Sequence, residues 1–312
     1  MRNNIIDDKN LQKILIIGAN GFLGKNVLRT RHKNKTLSQE STFIAADLQN
    51  NNIEENFPFW FIDITNYNDT LKKIIKISPD IIILTAAMTD VDQNEREKDL
   101  ATKINTDGPK NVLKACKKID ANLLFLSTDF VFDGVKQGYY TENDIPNPLS
   151  HYARTKYDAE LAIIRSEANY VICRTAVLYG WNSEKFNFIT WLIDKLEKNE
   201  SVNLVKHQIN NPTYVRNLSE IILKLIEKDA KGIYHTVGSE ALNRYEMALK
   251  CADIFNLNKE LINPIENFIQ LATRPANAAL DITKLKRLLG TDVAIFSLLD
   301  GLKDMKQIRN IE

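Results

Sequence analysis

Near its start the chain runs from a short apolar stretch straight into a glycine-spaced turn: Lys13-Ile14-Leu15-Ile16-Ile17 leads into Gly18-Ala19-Asn20-Gly21-Phe22-Leu23-Gly24. The apolar stretch reads as a buried strand, and the residues after the turn read as a helix over 22–29. Glycine is needed where the backbone turns sharply and must come close to a pyrophosphate. The helix that follows offers that anion its free N–H groups and the positive end of its dipole. A glycine pattern alone says little. Between a strand and a helix near the N-terminus, it marks a dinucleotide-binding turn. Gly18, Asn20, Gly21, Phe22 and Leu23 are therefore cofactor-contact candidates.

The rest of the first half keeps the same rhythm. Strands are expected over 13–17, 43–46, 59–62, 81–85, 123–127 and 170–174, with helices over 22–29, 67–77, 100–118 and 152–166 between them. Several of these strands are too apolar to have a solvent face. The expectation is an α/β fold with a Rossmann-type, doubly wound parallel sheet covered on both faces. Pro109 must kink the third helix or open a new turn in it. After Gly180 helices dominate, over 186–198, 218–228, 244–255 and 282–289, with short extended pieces at 202–205 and 232–237. This predicts a dinucleotide-binding domain over 1–180 and a smaller, mostly helical substrate domain over 181–312, with the boundary approximate and interleaving allowed.

Composition narrows the partners. In 312 residues, a formal charge of +1 gives no reason to expect nucleic acid or an anionic membrane. The run from Ile81 to Met88 is far shorter than the roughly 20 residues of a membrane helix. Met1 to Asn10 is polar and does not read as a signal peptide. Cys116, Cys173 and Cys251 are odd in number and widely spaced, as expected of reduced thiols in the cytoplasm.

Five further positions carry chemistry. Asp47 ends the second strand, where a carboxylate binds the adenosine ribose hydroxyls or simply closes a turn. Its charge would repel a 2′-phosphate and so leans the cofactor from NADP toward NAD, although Arg29 and Arg31 lie nearby in sequence. Asp63 follows the third strand and is either an acceptor for the adenine amino group or a turn cap. Tyr152 and Lys156 stand one helical turn apart on one face. An ammonium there is expected to lower the phenol's pKa from its ordinary value of about 10 and make acid–base work feasible. Ser127-Thr128-Asp129 closes the fifth strand at the ligand edge of the sheet, where a hydroxyl can bond a substrate carbonyl beside Tyr152.

Longer stretches make the resemblance specific: Ala86-Ala87-Met88-Thr89-Asp90-Val91-Asp92 with Glu95, Asn105 with Gly108 and Asn111, Ser127 through Gly134, Arg174 through Gly180, Gln208 through Tyr214, Gly232 through His235, and Arg274 through Asp281. With the glycine turn and Tyr152–Lys156, they resemble the extended short-chain dehydrogenase/reductases, most of all the dTDP-4-dehydrorhamnose reductase family. The regulatory β subunit of methionine adenosyltransferase is a related branch. The resemblance implies an NAD(P)H-dependent reductase of a nucleotide-linked 4-keto-6-deoxy sugar, cytoplasmic, and allows a homodimer. It implies that Thr128, Tyr152 and Lys156 are catalytic, with Thr128 also touching substrate and Lys156 also holding the nicotinamide ribose. Asp63 and Ile64 would lie at the adenine, Ala86, Ala87 and Thr89 near the nicotinamide half, and Gln208 and Arg274 at the sugar nucleotide. Met88, Ala176, Leu178 and Ala276 depart from the family pattern near the expected sugar pocket.

Two other functions fit the same residues: a nucleotide-sugar epimerase or dehydratase, and a non-catalytic regulatory subunit. Asp129, where a dehydratase would carry Glu beside the threonine, argues against a dehydratase. No metal site is expected, since His32, His151, His207 and His235 lack ligand spacing. Asp90, Asp92 and Glu95 read as solvated or capping groups on a loop. Trp60, Trp181 and Trp191 read as packing residues.

Overall fold

The computed structural model describes residues 11–50, 57–182, 184–266 and 269–309; the polar N-terminal ten residues lie outside them. Seven parallel strands form the central sheet. They are β1 (Gln12–Ile17), β2 (Ser41–Asp47), β3 (Phe59–Phe61), β4 (Ile81–Leu84), β5 (Asn122–Thr128), β6 (Tyr170–Thr175) and β11 (Gly232–His235). Their order is β11-β6-β5-β4-β1-β2-β3. The winding direction reverses between β1 and β4, which opens a crevice at the carboxyl ends of those two strands.

Both faces of the sheet are buried, as the fully apolar strands require. Ile14 and Ile16 of β1 face one core, shared with Val27 and Leu28 of α1 (Phe22–Thr30), Leu37 of α2 (Lys35–Glu40), Ile221 and Ile222 of α9 (Val215–Glu227) and Leu285 of α11 (Thr283–Leu289). Leu15 and Ile17 face the other, with Ile74 of α3 (Tyr67–Ile77), Val112 of α6 (Gly108–Ile119) and Ala159 and Ile163 of α7 (His151–Ile164). A third core joins α8 (Phe188–Glu197), α10 (Arg244–Phe255) and α12 (Leu298–Arg309) to β8 (Val202–Val205) and β13 (Ile262–Ile265), which pair in parallel. Short pairings of β7 (Leu178–Tyr179) with β10 (Thr213–Tyr214) and of β9 (Ile209–Asn210) with β12 (Leu242–Asn243) form two further two-stranded ladders.

Three elements differ from the sequence expectation. The extended piece near 232–237 is no isolated strand, because β11 pairs with β6 and completes the sheet, while α9 packs on α1. Residues beyond 180 thus build part of the central sheet and its helical cover. The helix expected over 100–118 is α5 (Lys98–Thr102), a π-helical turn over Lys103–Asp107, then α6, with Pro109 in the first turn of α6 where its missing N–H costs nothing. Asp92 and Glu95 lie on a short helix, α4 (Val91–Arg96), which Asp90 caps by accepting from the Gln93 N–H at 2.8 Å.

Candidate active site

A cavity of about 1060 Å³ opens at the carboxyl ends of the sheet strands. Gly18, Asn20, Gly21, Phe22, Leu23, Asp47, Asp63, Ile64, Ala86, Ala87, Thr89, Thr128, Tyr152 and Lys156 all line it. Residues spread over more than a hundred positions of sequence thus share one wall. Two glycines of the turn can be nothing else. Gly18 has φ +91°, and a Cβ there would sit 2.5 Å from the Ala86 nitrogen; a Cβ on Gly24 would sit 2.2 Å from the Gly18 carbonyl oxygen. Gly24 therefore lets α1 start hard against β1, so that its N-terminus faces the cavity. No acidic residue stands in the first turn of α1, which leaves that positive end to an anion.

Asp47 is held beside the glycine turn. Its Oδ2 accepts from the Asn20 N–H at 2.9 Å and its Oδ1 from the Leu48 N–H at 2.7 Å. Arg31, by contrast, donates to the Leu28 carbonyl at 2.6 Å and stacks over Phe57 at 4.2 Å, and neither it nor Arg29 lines the cavity. Asp63 lines the cavity, and its Oδ1 accepts from the Thr65 N–H and hydroxyl at 2.9 and 2.7 Å, as a turn cap does.

The loop after β4 is fixed by a residue the sequence offered only as a motif match. Asn105, on the π-helical turn and fully buried, accepts from the Met88 N–H at 2.8 Å and donates to the Met88 carbonyl at 3.0 Å. It also donates to Asn94 Oδ1 at 3.0 Å. The extra residue of a π turn aims this amide at the loop, a common use of such turns at functional sites. Asn111 likewise donates to the Ile64 carbonyl at 2.9 Å.

The catalytic candidates converge from two elements. Thr128 ends β5, and its hydroxyl donates to Asp129 Oδ1 at 3.1 Å. Tyr152 and Lys156 lie in the first two turns of α7, whose start is fixed by the Ser150 cap and by Glu95 Oε1, which accepts from the His151 N–H at 2.6 Å. Lys156 is 3% exposed, and its Nζ lies over the Phe125 ring at 4.2 Å. Burial pulls this ammonium down to about 7, against the opposing charge of Glu160.

The phenol differs from the expectation. Burial pushes Tyr152 up to about 12, with the Thr128 hydroxyl working against the rise and the Asp129 charge adding to it. The lowering expected from Lys156 is not seen, and desolvation of the buried phenol sets the direction. Tyr152 is thus a protonated phenol across the neutral range, the form a proton donor requires.

Sequence reasoning passed over Asp129 and Arg244 as site residues, although both line this cavity. The Asp129 carboxyl is buried, takes a hydrogen bond from the Asn210 amide and is pushed up to about 7 by desolvation. Arg244 opens α10, where its guanidinium stands 5.2 Å over the Phe188 ring. A buried acid directly after Thr128 was readable as a signal; an arginine arriving from the distant helical layer was not. Ser127 Oγ and Thr175 Oγ1 are buried cavity-lining hydroxyls without a protein partner among the described residues. Together with the glycine cradle, these orphaned groups fit a polar ligand extended along the crevice, as a dinucleotide is.

Gln208 and Arg274 do not line the cavity. Gln208 donates to Gln270 at 2.7 Å, and Arg274 donates to Asp92 Oδ1 at 3.1 Å, a bond that holds the Asp92 carboxyl below its usual range. Met88, Ala176 and Leu178 line the cavity, whereas Ala276 does not. His151 bonds the Thr102 hydroxyl and the Lys98 carbonyl, and Trp181 donates to the Met305 carbonyl at 2.8 Å. Among the described residues no group of His, Cys, Asp and Glu is arranged to hold a metal ion, and no helix is long and apolar enough to cross a membrane. The three cysteines are buried and unpaired.

Comparison with known proteins is consistent with this geometry. The RmlD substrate binding domain profile matches residues 12–305. A dTDP-4-dehydrorhamnose reductase of Aggregatibacter actinomycetemcomitans is 30% identical over 96% of this chain and 99% of its own. The methionine adenosyltransferase 2 subunit beta of Bos taurus is 32% identical over 89% of this chain and 82% of its own. A solved dTDP-4-dehydrorhamnose reductase of Bacillus anthracis, in complex with NADP, superposes with a TM-score of 0.84 at 31% identity, covering 96% of this chain and 99% of that one.

Proposed function

Because the chain belongs to the RmlD substrate binding domain family, we propose that it is an NAD(P)H-dependent reductase of a nucleotide-linked 4-keto-6-deoxy sugar, with a dTDP-4-keto-6-deoxyhexose as substrate. The observation that carries this reading is the meeting of Thr128, Tyr152 and Lys156 in the cavity that also contains the glycine turn. A reduced nicotinamide held along the crevice would supply a hydride to the sugar C4. Gly18, Gly21, Phe22 and Leu23 hold its pyrophosphate, Ile64 and Asp63 its adenine, and Ala86, Ala87 and Thr89 its nicotinamide half. Lys156 holds the nicotinamide ribose.

The proton comes from the protein. Tyr152, fully protonated near neutral pH, donates to the oxygen developing negative charge at C4, and the Thr128 hydroxyl bonds the same oxygen. The Lys156 charge stabilises the phenolate left behind. Asp47 favours NAD over NADP, since the charged groups fixed at the adenosine end are carboxylates and Arg31 is turned away. Residues 1–180 supply the cofactor side and residues 181–312 the sugar-nucleotide side, Gln208 and Arg274 included, with β11 and α9 returning to the sheet. The enzyme acts in the cytoplasm, and the reading accommodates a homodimer.

The test is a spectrophotometric assay with NADH and NADPH in parallel against dTDP- and UDP-linked 4-keto sugars. Oxidation of the cofactor coupled to sugar reduction is expected. Conversion of the sugar without net cofactor consumption would point to an epimerase or dehydratase instead. The 32% identity to a methionine adenosyltransferase subunit favours one second reading, a regulatory subunit. It is supported if the protein binds cofactor and turns over no keto sugar in the panel.

A further inference from the structure

The most deeply buried charges outside the reacting groups lie directly behind Lys156. Tyr152, Lys156 and Glu160 occur at four-residue intervals along α7 and so share one face. Glu160 is 0% exposed and its partner Arg174, on β6, is 2% exposed. Arg174 takes both carboxylate oxygens: Nε donates to Oε1 at 3.1 Å and Nη2 to Oε2 at 2.7 Å. Its guanidinium lies over the Phe132 ring at 5.1 Å. Lys156 makes no ion pair among the described residues, and its Nζ rests on the Phe125 ring.

A buried ion pair is a poor stability device, because desolvating two charges offsets most of their attraction. This pair therefore calls for another role, and Lys156 is the neighbour that needs one. We propose that Glu160 and Arg174 form a positioning couple for Lys156: the Glu160 carboxylate keeps the ammonium charged, and Arg174, by occupying both carboxylate oxygens, stops Glu160 from drawing Nζ out of the cavity. The proposal rests on the cofactor-holding role of Lys156 given above and not on the identity of the sugar.

The surroundings of Lys156 support this division of labour. The charge that acts on Lys156 is Glu160, one turn on along α7 and paired to Arg174 of β6, while Tyr152 and Asp129 share its cavity. The π-helical turn packed on α7 bonds Thr155 through neutral Asn105 and Thr106 and carries Lys103, which lines the same cavity, and Asp107, while Arg244 lines that cavity from α10. Burial works against the ammonium, and Glu160 is the group that opposes burial. Losing Glu160 leaves burial unopposed, so the charge disappears at a lower pH. Losing Arg174 alone frees the carboxylate, so the charge persists to a higher pH while Nζ is captured.

The test is NADH affinity, followed by fluorescence titration from mildly acidic to alkaline pH with no sugar present. In Glu160→Gln the alkaline loss of affinity should begin about one pH unit lower than in the parent, the smaller end of what an adjacent opposite charge does. In Arg174→Gln it should begin higher, with affinity reduced about tenfold throughout, as the loss of one charge-assisted contact predicts. The double variant Glu160→Gln/Arg174→Met removes the pair as a unit, which buried pairs tolerate better than loss of one partner, and its onset should also move lower. An onset unchanged from the parent in Glu160→Gln or in the double variant would overturn the proposal, whatever happens to thermal stability. A parent protein that binds NADH yet reduces no keto sugar would overturn the reductase reading and leave this test intact.

Discussion

The Asn210 amide hydrogen-bonds the buried Asp129 carboxyl, 81 positions away in sequence, and so ties the short strand β9 to the residue that follows Thr128. With Arg244, which lines the same cavity, this bond brings the second half of the chain to the reacting groups. Desolvation holds the Asp129 carboxyl up to about 7, well above the roughly 3.9 of an unfolded chain. Its stability contribution is therefore full below about pH 4 and is lost as pH rises through about 7, because the folded state binds the extra proton. Asp129→Asn should flatten that decline in urea unfolding at stepped pH. A decline as steep as the parent's would refute the assignment.

Tyr152→Phe removes one oxygen from the cavity wall and no charge near neutral pH. Cofactor affinity should be unchanged and turnover should drop by about 10²- to 10⁴-fold, the usual worth of a positioned proton donor. Parallel NADH titration and steady-state rates separate the two, and a variant that kept parental turnover would exclude Tyr152 as the donor.

Gly24→Ala should be severe for so small a change. Its Cβ would meet the backbone of Gly18 and Ala19, at 2.2 and 2.8 Å, and backbone cannot swing aside as a flexible side chain does. Either α1 shifts off β1 or the glycine turn opens. Dinucleotide affinity should fall more than about tenfold, with a loss of roughly 1–3 kcal/mol in unfolding free energy, as overpacking usually costs. An alanine variant with parental NADH affinity would mean that α1 does not set the turn.

Asp47→Ser removes the carboxylate that holds the Asn20 N–H. The ratio of NADPH to NADH affinity should rise by about tenfold or more, because like charges brought together cost on the order of kilocalories. Competitive titration with the two cofactors measures this, and an unchanged ratio would place the 2′-position of the ribose elsewhere.

Much of this was legible in the residues, and the exceptions share a physical cause. The strands of the first half were readable because they are buried on both faces and carry no polar alternation, as Ile14–Ile17 and Ile81–Leu84 show. The glycine turn, Thr128, Tyr152 and Lys156 were readable because strand ends and helical spacing fix which side chains meet. The place of β11 was not, since Gly232–His235 is one short apolar run among others and only its pairing with β6 assigns it. The break in the helix near Asn105 was equally hidden, because one extra residue in a turn leaves the apolar pattern nearly intact. The raised phenol of Tyr152 escaped as well: sequence shows that a lysine is near but not how much water both have lost.

The seventh strand has a consequence for how the chain is made. Until Gly232–His235 leaves the ribosome, β6 is a bare edge, and the apolar face of α1 lacks the α9 surface that covers it. At synthesis rates of roughly 5–20 residues per second, that interval lasts several seconds. During it the nascent chain exposes an unpaired strand able to pair with another of its kind. The central sheet therefore matures only after much of the second layer has been synthesised, and a chain released in between would be prone to aggregate.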